Sequence, residues 1–370
     1  MRMYHWKQIS KKETAFIKAF GMLFILFHNY SHHVKPWLGE NEFSFSYQYT
    51  ASFLSLIKEN PIDISRLLFA FFGHYGVQLF IFISGYGLFL SYKDKPVKWW
   101  PFFRKHLVKF YPAYLLAICF YLILFPWHYH TSFHPWVFKF AILDLLFIQN
   151  FVPGAVYQLV GPWWFFSLIV QLYAVFPFIL ILFHRYGIKA VIGIGIIAWI
   201  ITLCFNSVAG GYGYNLYYFF ISRLPVFCLG IYFAWLSDFK LPWWFIASCF
   251  VIVLAGNVNN FIWPLTMLAV TIFLLVIIRL LIPVIERSHF LSPFLSWIGI
   301  NSLFIFAVHG FLRFPFVERA TQLNNSFITI LIGMAFFIVS ILVAWSIKIL
   351  ETPIQRQVVQ PYFNRLKKNI

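Results

Sequence analysis

Apolar residues dominate this chain in long runs, and short polar stretches interrupt them. The runs fall at 15–31, 67–92, 107–126, 136–153, 163–183, 188–207, 214–236, 242–257, 260–283, 295–316 and 327–350. Each approaches the roughly 20 residues that cross a hydrocarbon core about 30 Å thick. In lipid such a segment must be a helix, because every backbone amide has to find its partner within its own span. The stretch GVQLFIFISGYGLFLSY at 76–92 is the clearest example: Ser84, Gly85 and Gly87 lie in its apolar surface, and KDKPVKWWPFFRKHLVK follows at once. Small residues in mid-span predict that another helix or a ligand packs there. The predicted fold class is therefore all-α, a polytopic membrane helix bundle forming a single domain over 1–370. Lys18 interrupts the first run and His28 closes it, so this run is expected to stay as a helix rather than be removed as a leader.

Loop charge orients the spans. Arg2, Lys7, Lys11 and Lys12 precede the first run, and Lys93, Lys95, Lys98, Arg104, Lys105 and Lys109 cluster in the 93–109 segment, which marks both as cytoplasmic. If 136–153 crossed, then Arg185, Lys189, Arg279, Arg287 and the C-terminal Arg356, Arg365, Lys367 and Lys368 would all emerge outside; if it does not, all fall inside. Lys139 and Asp144 lie in that window and Pro135 and Pro153 bound it, so it reads as an interfacial or re-entrant helix on the outer side. About ten transmembrane helices remain, with both termini cytoplasmic. Loops 32–66, with Glu40, Glu42, Glu59 and Asp63, and 311–326 are then extracytoplasmic.

Composition agrees. The chain is 61% hydrophobic, 23% aromatic and 11% charged, too few charges to solvate a soluble domain of 370 residues. Its net charge of +17 does not point to nucleic acid, because the basic residues flank apolar spans and form no continuous patch. Cys119, Cys204, Cys228 and Cys249 all lie within apolar runs with no metal-ligand spacing, and read as small buried hydrophobes.

Polar side chains inside the spans need a partner or a task. Lys18 and His28 are ten apart, which returns them to within about 80° on a helix, with about 15 Å between them along the axis. His28 and His32 share a face at i, i+4. That spacing suits a metal pair, yet no carboxylate or Cys set completes it in the sequence, and no metal is expected. Arg223, placed nearly midway along its apolar window, calls for an anionic partner, either Glu351 or a ligand phosphate. A histidine near a buried cation suits general-base chemistry on a hydroxyl.

The chain resembles the acyltransferase-3 family of integral membrane acyltransferases, many of which O-acetylate cell-surface or exported carbohydrates. Six pieces carry the resemblance in order: FIKAFGMLFILFHN at 16–29, GVQLFIFISGYGLFLSY with FFRKHLVKFYPAYLLA at 76–117, GPWWFFSLIVQLYAVFPF at 161–178, SRLPVFCLGIYFA at 222–234, IGINSLFIFAVHGFL at 298–312 and LETPIQR at 350–356. The resemblance implies that His28 is the family's essential histidine, with Lys18 where many relatives have arginine. Arg104 and Lys105 stand for the basic pair before the third helix, Tyr111 and Pro112 for its tyrosine-proline step. Trp164, Gln171, Tyr173 and Pro177 match a Trp-to-Tyr-Pro helix, Arg223 and Pro225 an arginine-leucine-proline step, Ser302 and His309 the late serine and histidine, and Glu351 with Pro353 the terminal glutamate-proline. One position departs: many relatives carry the histidine eleven residues after the basic residue, where this chain has Asn29. The offset turns the imidazole by about 100°, leaving His28 as first choice and His32 as the alternative.

The implied activity is transfer of an acyl group, acetyl by resemblance, from acyl-CoA at the cytoplasmic side to a glycan hydroxyl outside, in the inner or plasma membrane, with His28 either the general base or a transient carrier of the acyl group. Acetyl-CoA is a cosubstrate, and no tightly bound cofactor is expected. Arg104, Lys105 and Arg223 would meet its phosphates and Tyr111 its surroundings; Ser84, Ser302 or Trp164 would face the oxyanion, and Trp37 or Trp163 would stack on a sugar. The rival class is a transporter or flippase for a glycan or lipid-linked intermediate, with His28, Arg223 and Glu351 as a relay. No repeat pairs the two halves of the chain, which weighs against it.

Overall fold

The computed structural model describes residues 3–129 and 134–362; Arg2, Arg365, Lys367 and Lys368, used above to orient the chain, lie outside them. A short strand β1 (Met3–Trp6) leads into α1 (Lys11–Ser31), α2 (Tyr47–Glu59), α3 (Ile64–Phe72), α4 (Gly76–Tyr92), α5 (Trp99–Tyr129), α6 (Pro135–Leu145), α7 (Trp164–Tyr186), α8 (Ile188–Gly211) and α9 (Phe220–Leu236). After β2 (Phe239–Pro242) come α10 (Trp243–Gly256), α11 (Thr266–Arg287), α12 (Leu291–Ile300), α13 (Ser302–Leu312), α14 (Phe314–Leu323) and α15 (Ser326–Ile354). Six helical stretches among the described residues are long and apolar enough to cross a membrane, and α12 with α13 makes a seventh if that bent pair counts as one span. This is a multi-pass membrane bundle.

Three windows fold differently from their hydropathy. The 295–316 run is two helices bent by 78° on either side of Asn301. The 136–153 run is covered in helix only by α6, whose 11 residues from Pro135 are about half of what a span needs, and by a short turn at Gln149–Phe151. The 214–236 run begins helix only at Phe220, because Leu216–Tyr218 form a separate turn capped by the Asn215 side chain.

α1 starts with a reciprocal cap: Ser10 Oγ accepts from Glu13 N–H at 3.1 Å, and Glu13 Oε2 accepts from Ser10 N–H at 2.7 Å. The other Glu13 oxygen holds the Arg279 guanidinium at 3.0 Å, and that cation lies 4.4 Å over the ring of Trp6. β1 pairs antiparallel with β2, Met3 opposite Pro242 and Trp6 opposite Phe239. Lys12–Glu286 (2.8 Å), His184 to the Lys93 carbonyl (2.7 Å) and Gln355 to the Lys109 carbonyl (3.0 Å) belong to the same end of the bundle. We call it the lysine end.

The opposite, histidine end is laced by loops. Trp263 Nε1 donates to the Asn41 carbonyl, Asn215 Nδ2 to the Phe43 carbonyl, Tyr30 Oη to the Thr329 carbonyl and Asn60 Nδ2 to Ser326 Oγ, all at 2.7–2.9 Å. At the centre α4 lies directly on α9. A side chain at Gly85 would strike the Phe227 carbonyl, and one at Gly230 the Phe82 carbonyl, so each helix offers a glycine where the other's backbone passes. The small residues of 76–92 thus serve packing at Gly85, whereas Gly87 faces open space. Cys228 and Cys249 are buried, but Cys119 and Cys204 lie on the exposed perimeter, contrary to the expectation for all four.

Candidate active site

α1 carries His28 near its histidine end, and the site assembles around that ring. His28 Nδ1 lies 3.0 Å from the Ala70 carbonyl and 3.3 Å from that of Phe69, in the last turn of α3. Carbonyls only accept, so Nδ1 carries the hydrogen and Nε2 keeps its lone pair. The same carbonyls are the negative end of α3, a favourable neighbour for a proton arriving on Nε2. Gly73 makes this approach possible, since a side chain there would run into the backbone and Cβ of His28. Arg66 fixes the geometry from behind: buried, it is held by Asp63 (Nε to Oδ2, 2.7 Å) and donates to the Ser31 and Val34 carbonyls at 3.3 and 3.2 Å, which ties α3 to the end of α1.

His28 lines a cavity of about 490 Å³ at the histidine end. His32, His33 and His74 line it too; the His28 ring stacks on His32 (centroids 5.2 Å) and meets His74 edge-on (5.6 Å). Glu40 Oε2 lies 2.8 Å from His32 Nδ1. The sequence reading that no carboxylate completes the His28–His32 pair is therefore corrected: the 32–46 loop folds back and brings Glu40 to it. Arg313 Nη1 donates to Asn29 Oδ1 at 3.4 Å beside the same cavity. Burial, reinforced by the Arg313 cation, pushes His33 down from the ordinary histidine value. Glu42 is also buried, and desolvation pushes it up to about 8; Arg223 pulls against this and Glu40 adds to it.

Arg223 is fully buried in the first turn of α9, not midway along a span. Its Nε donates to the Tyr217 carbonyl at 3.1 Å, and the guanidinium lies 5.5 Å from Trp164 and 5.6 Å from Phe43, over their rings. The acid whose charge acts on it is Glu42. Glu351, named above as its partner, is hydrogen-bonded to Gln355, which in turn donates to the Lys109 carbonyl at the lysine end. The Arg223–Glu351 pairing is thus excluded by their placement at opposite ends.

A second cavity of about 260 Å³ opens beneath the first and holds Lys18, Ser84, Tyr173 and Ser302. Phe165 and Phe306 line both cavities, with ring centroids 5.2 Å apart, and form the wall between them. Lys18 on one turn of α1 and His28 three turns on thus face the two sides of a single partition.

The remaining residues divide. Trp164 lines the upper cavity, and Ser84 the lower, where its hydroxyl donates to the Phe80 carbonyl at 2.8 Å. Gln171 is structural: its Oε1 accepts from Phe220 N–H at 3.1 Å and joins α7 to the start of α9. His309 is buried behind Phe306, its Nδ1 2.9 Å from that residue's carbonyl, and lines neither cavity. Arg104 lies over Tyr362 (5.0 Å) and Lys105 donates to Tyr92 Oη (3.0 Å), both at the lysine end, whereas Tyr111 packs edge-on against Phe147 outside both cavities. Arg223 therefore does not join Arg104 and Lys105. Trp163 is buried with its indole donating to the Ala307 carbonyl, and Trp37 is exposed beside Lys35, so neither lines the cavity; Trp164 and Tyr157 do. Sequence reading missed His74, Arg66 and Arg313 and gave Glu40 and Glu42 only a topological role, since nothing in their spacing announces a shared cavity.

The family model for an acyltransferase domain, acyltransferase-3, matches residues 15–349. The chain belongs to this family. It is a multi-pass membrane acyltransferase. No curated protein and no solved structure shows significant similarity to it. The match begins before Lys18 and ends just before Glu351, so both cavities lie within the acyltransferase domain.

Proposed function

We propose that the protein transfers an acyl group, acetyl in the first instance, from acyl-CoA on the cytoplasmic side to a hydroxyl of a cell-surface or exported glycan. In this reading the chain is a single domain of the inner or plasma membrane with ten crossings, α6 and α14 not among them, and both termini cytoplasmic. Lysines and arginines gathered at the lysine end support that orientation. The observation that carries the proposal is the pair of cavities: an imidazole with a free Nε2 lone pair above, Lys18 below, and two phenylalanines between.

Acyl-CoA approaches from the lysine end, its phosphates met by Arg104 and Lys105, and its thioester enters the lower cavity near Lys18, Tyr173 and Ser302. The glycan hydroxyl binds above, where Trp164 and Tyr157 offer faces for a sugar ring. His28 Nε2 takes the hydroxyl proton as the oxygen bonds to the carbonyl carbon; the C–S bond then breaks and the thiolate leaves with that proton. Ser302, which lines the lower cavity, is the first choice for donating to the oxyanion. Arg223 acts on the acceptor side, where it holds Trp164 in place.

The deciding assay incubates membranes with labelled acetyl-CoA and acceptor glycan. Wild-type protein labels the glycan, and His28→Ala inserts normally but loses activity by 10²-fold or more, the range for a general base. Full activity in His28→Ala removes the imidazole from the chemistry. Translocation of glycan without label replaces the acyltransferase reading with the transporter.

A further inference from the structure

The histidines at the mouth of the upper cavity carry a second chemistry. His28, His32 and Glu40 each offer one ligand atom, and these atoms lie within 4.8 Å of one another. The two imidazoles come from successive turns of one helix, and Glu40 is already 2.8 Å from His32 Nδ1. Two further features distinguish the group from an ordinary ion pair. His28 donates its Nδ1–H to a backbone carbonyl, the outer-shell bond that orients metal-binding histidines and leaves Nε2 free to ligate. His74 is 2% exposed and lines the same cavity, and neither of its ring nitrogens has a hydrogen-bond partner among the described residues.

We propose that His28, His32 and Glu40 bind a divalent transition-metal cation of the Zn²⁺ class, with a fourth position facing the cavity for water or His74. Two neutral imidazoles and one carboxylate suit zinc; magnesium and calcium prefer oxygen ligands only. Bonds of about 2.0–2.2 Å place tetrahedral ligand atoms about 3.4 Å apart, which small side-chain rotations achieve from the present spacing.

The consequence for activity rests on the acyl-transfer reading. A cation on His28 Nε2 occupies the lone pair that takes the hydroxyl proton, so metal binding and acyl transfer exclude each other. External zinc is then an inhibitor acting at the acceptor side.

The test is a titration of purified, chelator-treated, full-length protein in detergent with Co²⁺, followed by its visible spectrum, and with Zn²⁺ in competition. One ion per chain with tetrahedral Co²⁺ bands is expected, with affinity at least tenfold weaker in His32→Gln and in Glu40→Gln. Excess Mg²⁺ does not compete, and His289→Ala, which removes an exposed histidine elsewhere, binds as wild type. Thermal melts of each variant check that the fold persists. No stoichiometric binding, or binding indifferent to both substitutions, overturns the site. In the transfer assay Zn²⁺ suppresses activity and EDTA restores it; zinc bound at the site with activity undiminished overturns the exclusion. A protein that binds Co²⁺ as expected but never labels a glycan refutes the acyl-transfer reading and leaves the metal site intact.

Discussion

Glu42 ties the charge state of one residue to the stability of the whole. Its ordinary value is 4.5, and burial holds it near 8 in the folded protein. The folded state therefore binds this proton more tightly than the unfolded chain does. The stability that the proton contributes is complete below about pH 4.5 and is lost as pH rises through 8. The melting temperature in detergent should fall between about pH 5 and 8, and Glu42→Gln should flatten that slope; an unchanged slope in the variant would assign the dependence to another group. Arg66 gives a second prediction at this scale. Its guanidinium is buried against Asp63 and two carbonyls, and removing one partner of such a pair strands a buried charge at a cost of about 3–5 kcal/mol. Asp63→Ala should lower the melting temperature markedly and, because the same bonds hold the end of α1, reduce acyl transfer. A variant that melts and works as wild type would show that Arg66 finds other partners.

Among the elements, the crossing of α4 and α9 sets the frame that carries both cavities. Glycine in a helix interior is less favourable than alanine by about 1 kcal/mol, so Gly→Ala stabilises wherever there is room. Gly87 has nothing within 4 Å, whereas Gly230 faces the Phe82 carbonyl of the neighbouring helix. Gly87→Ala should hold or raise the melting temperature, and Gly230→Ala should lower it by an over-packing penalty of about 1–3 kcal/mol. Equal responses at the two sites would contradict the close crossing. The same elements mark what the chain reveals before it folds. The apolar runs located most helices, and the helix positions of Lys18, His28, Trp164 and Ser302 followed from them. Hydropathy is blind to direction, however, so the run at 295–316 concealed the bend at Asn301. Leu216, Tyr217, Tyr218 and Phe219 looked like span because aromatic residues that pack against Phe43, Phe151 and Trp263 score the same as those that face lipid. Glu40 and Glu42 were visible only as loop charges, since the loop's return to α1 is a tertiary event that local pattern does not encode.

At the scale of the whole molecule, the partition between the cavities decides what the enzyme can do. In the proposed reaction, hydroxyl acceptor and thioester donor reach the site from opposite ends of the bundle, and water must not replace the acceptor. Phe165 and Phe306 stand between the two spaces, braced by Phe80 (6.3 Å from Phe165) and by Phe166 (5.3 Å from Phe306). On the proposed reaction, a wall of aromatic rings would exclude water and yield by side-chain rotation once both substrates are bound, which would confine the reaction to that moment. Phe306→Ala removes one leaf of this wall and joins the cavities. Water from the upper cavity then reaches the thioester, and His28 activates it in place of the sugar. Hydrolysis of acyl-CoA without acceptor should rise several-fold while glycan labelling falls, measured as free thiol released against label transferred. The conservative Phe306→Leu should lie between the two. If thiol release stays at the wild-type level in Phe306→Ala, the rings do not keep water from the donor, and the selectivity for a sugar hydroxyl must arise in the acceptor cavity, with Trp164 and Arg223.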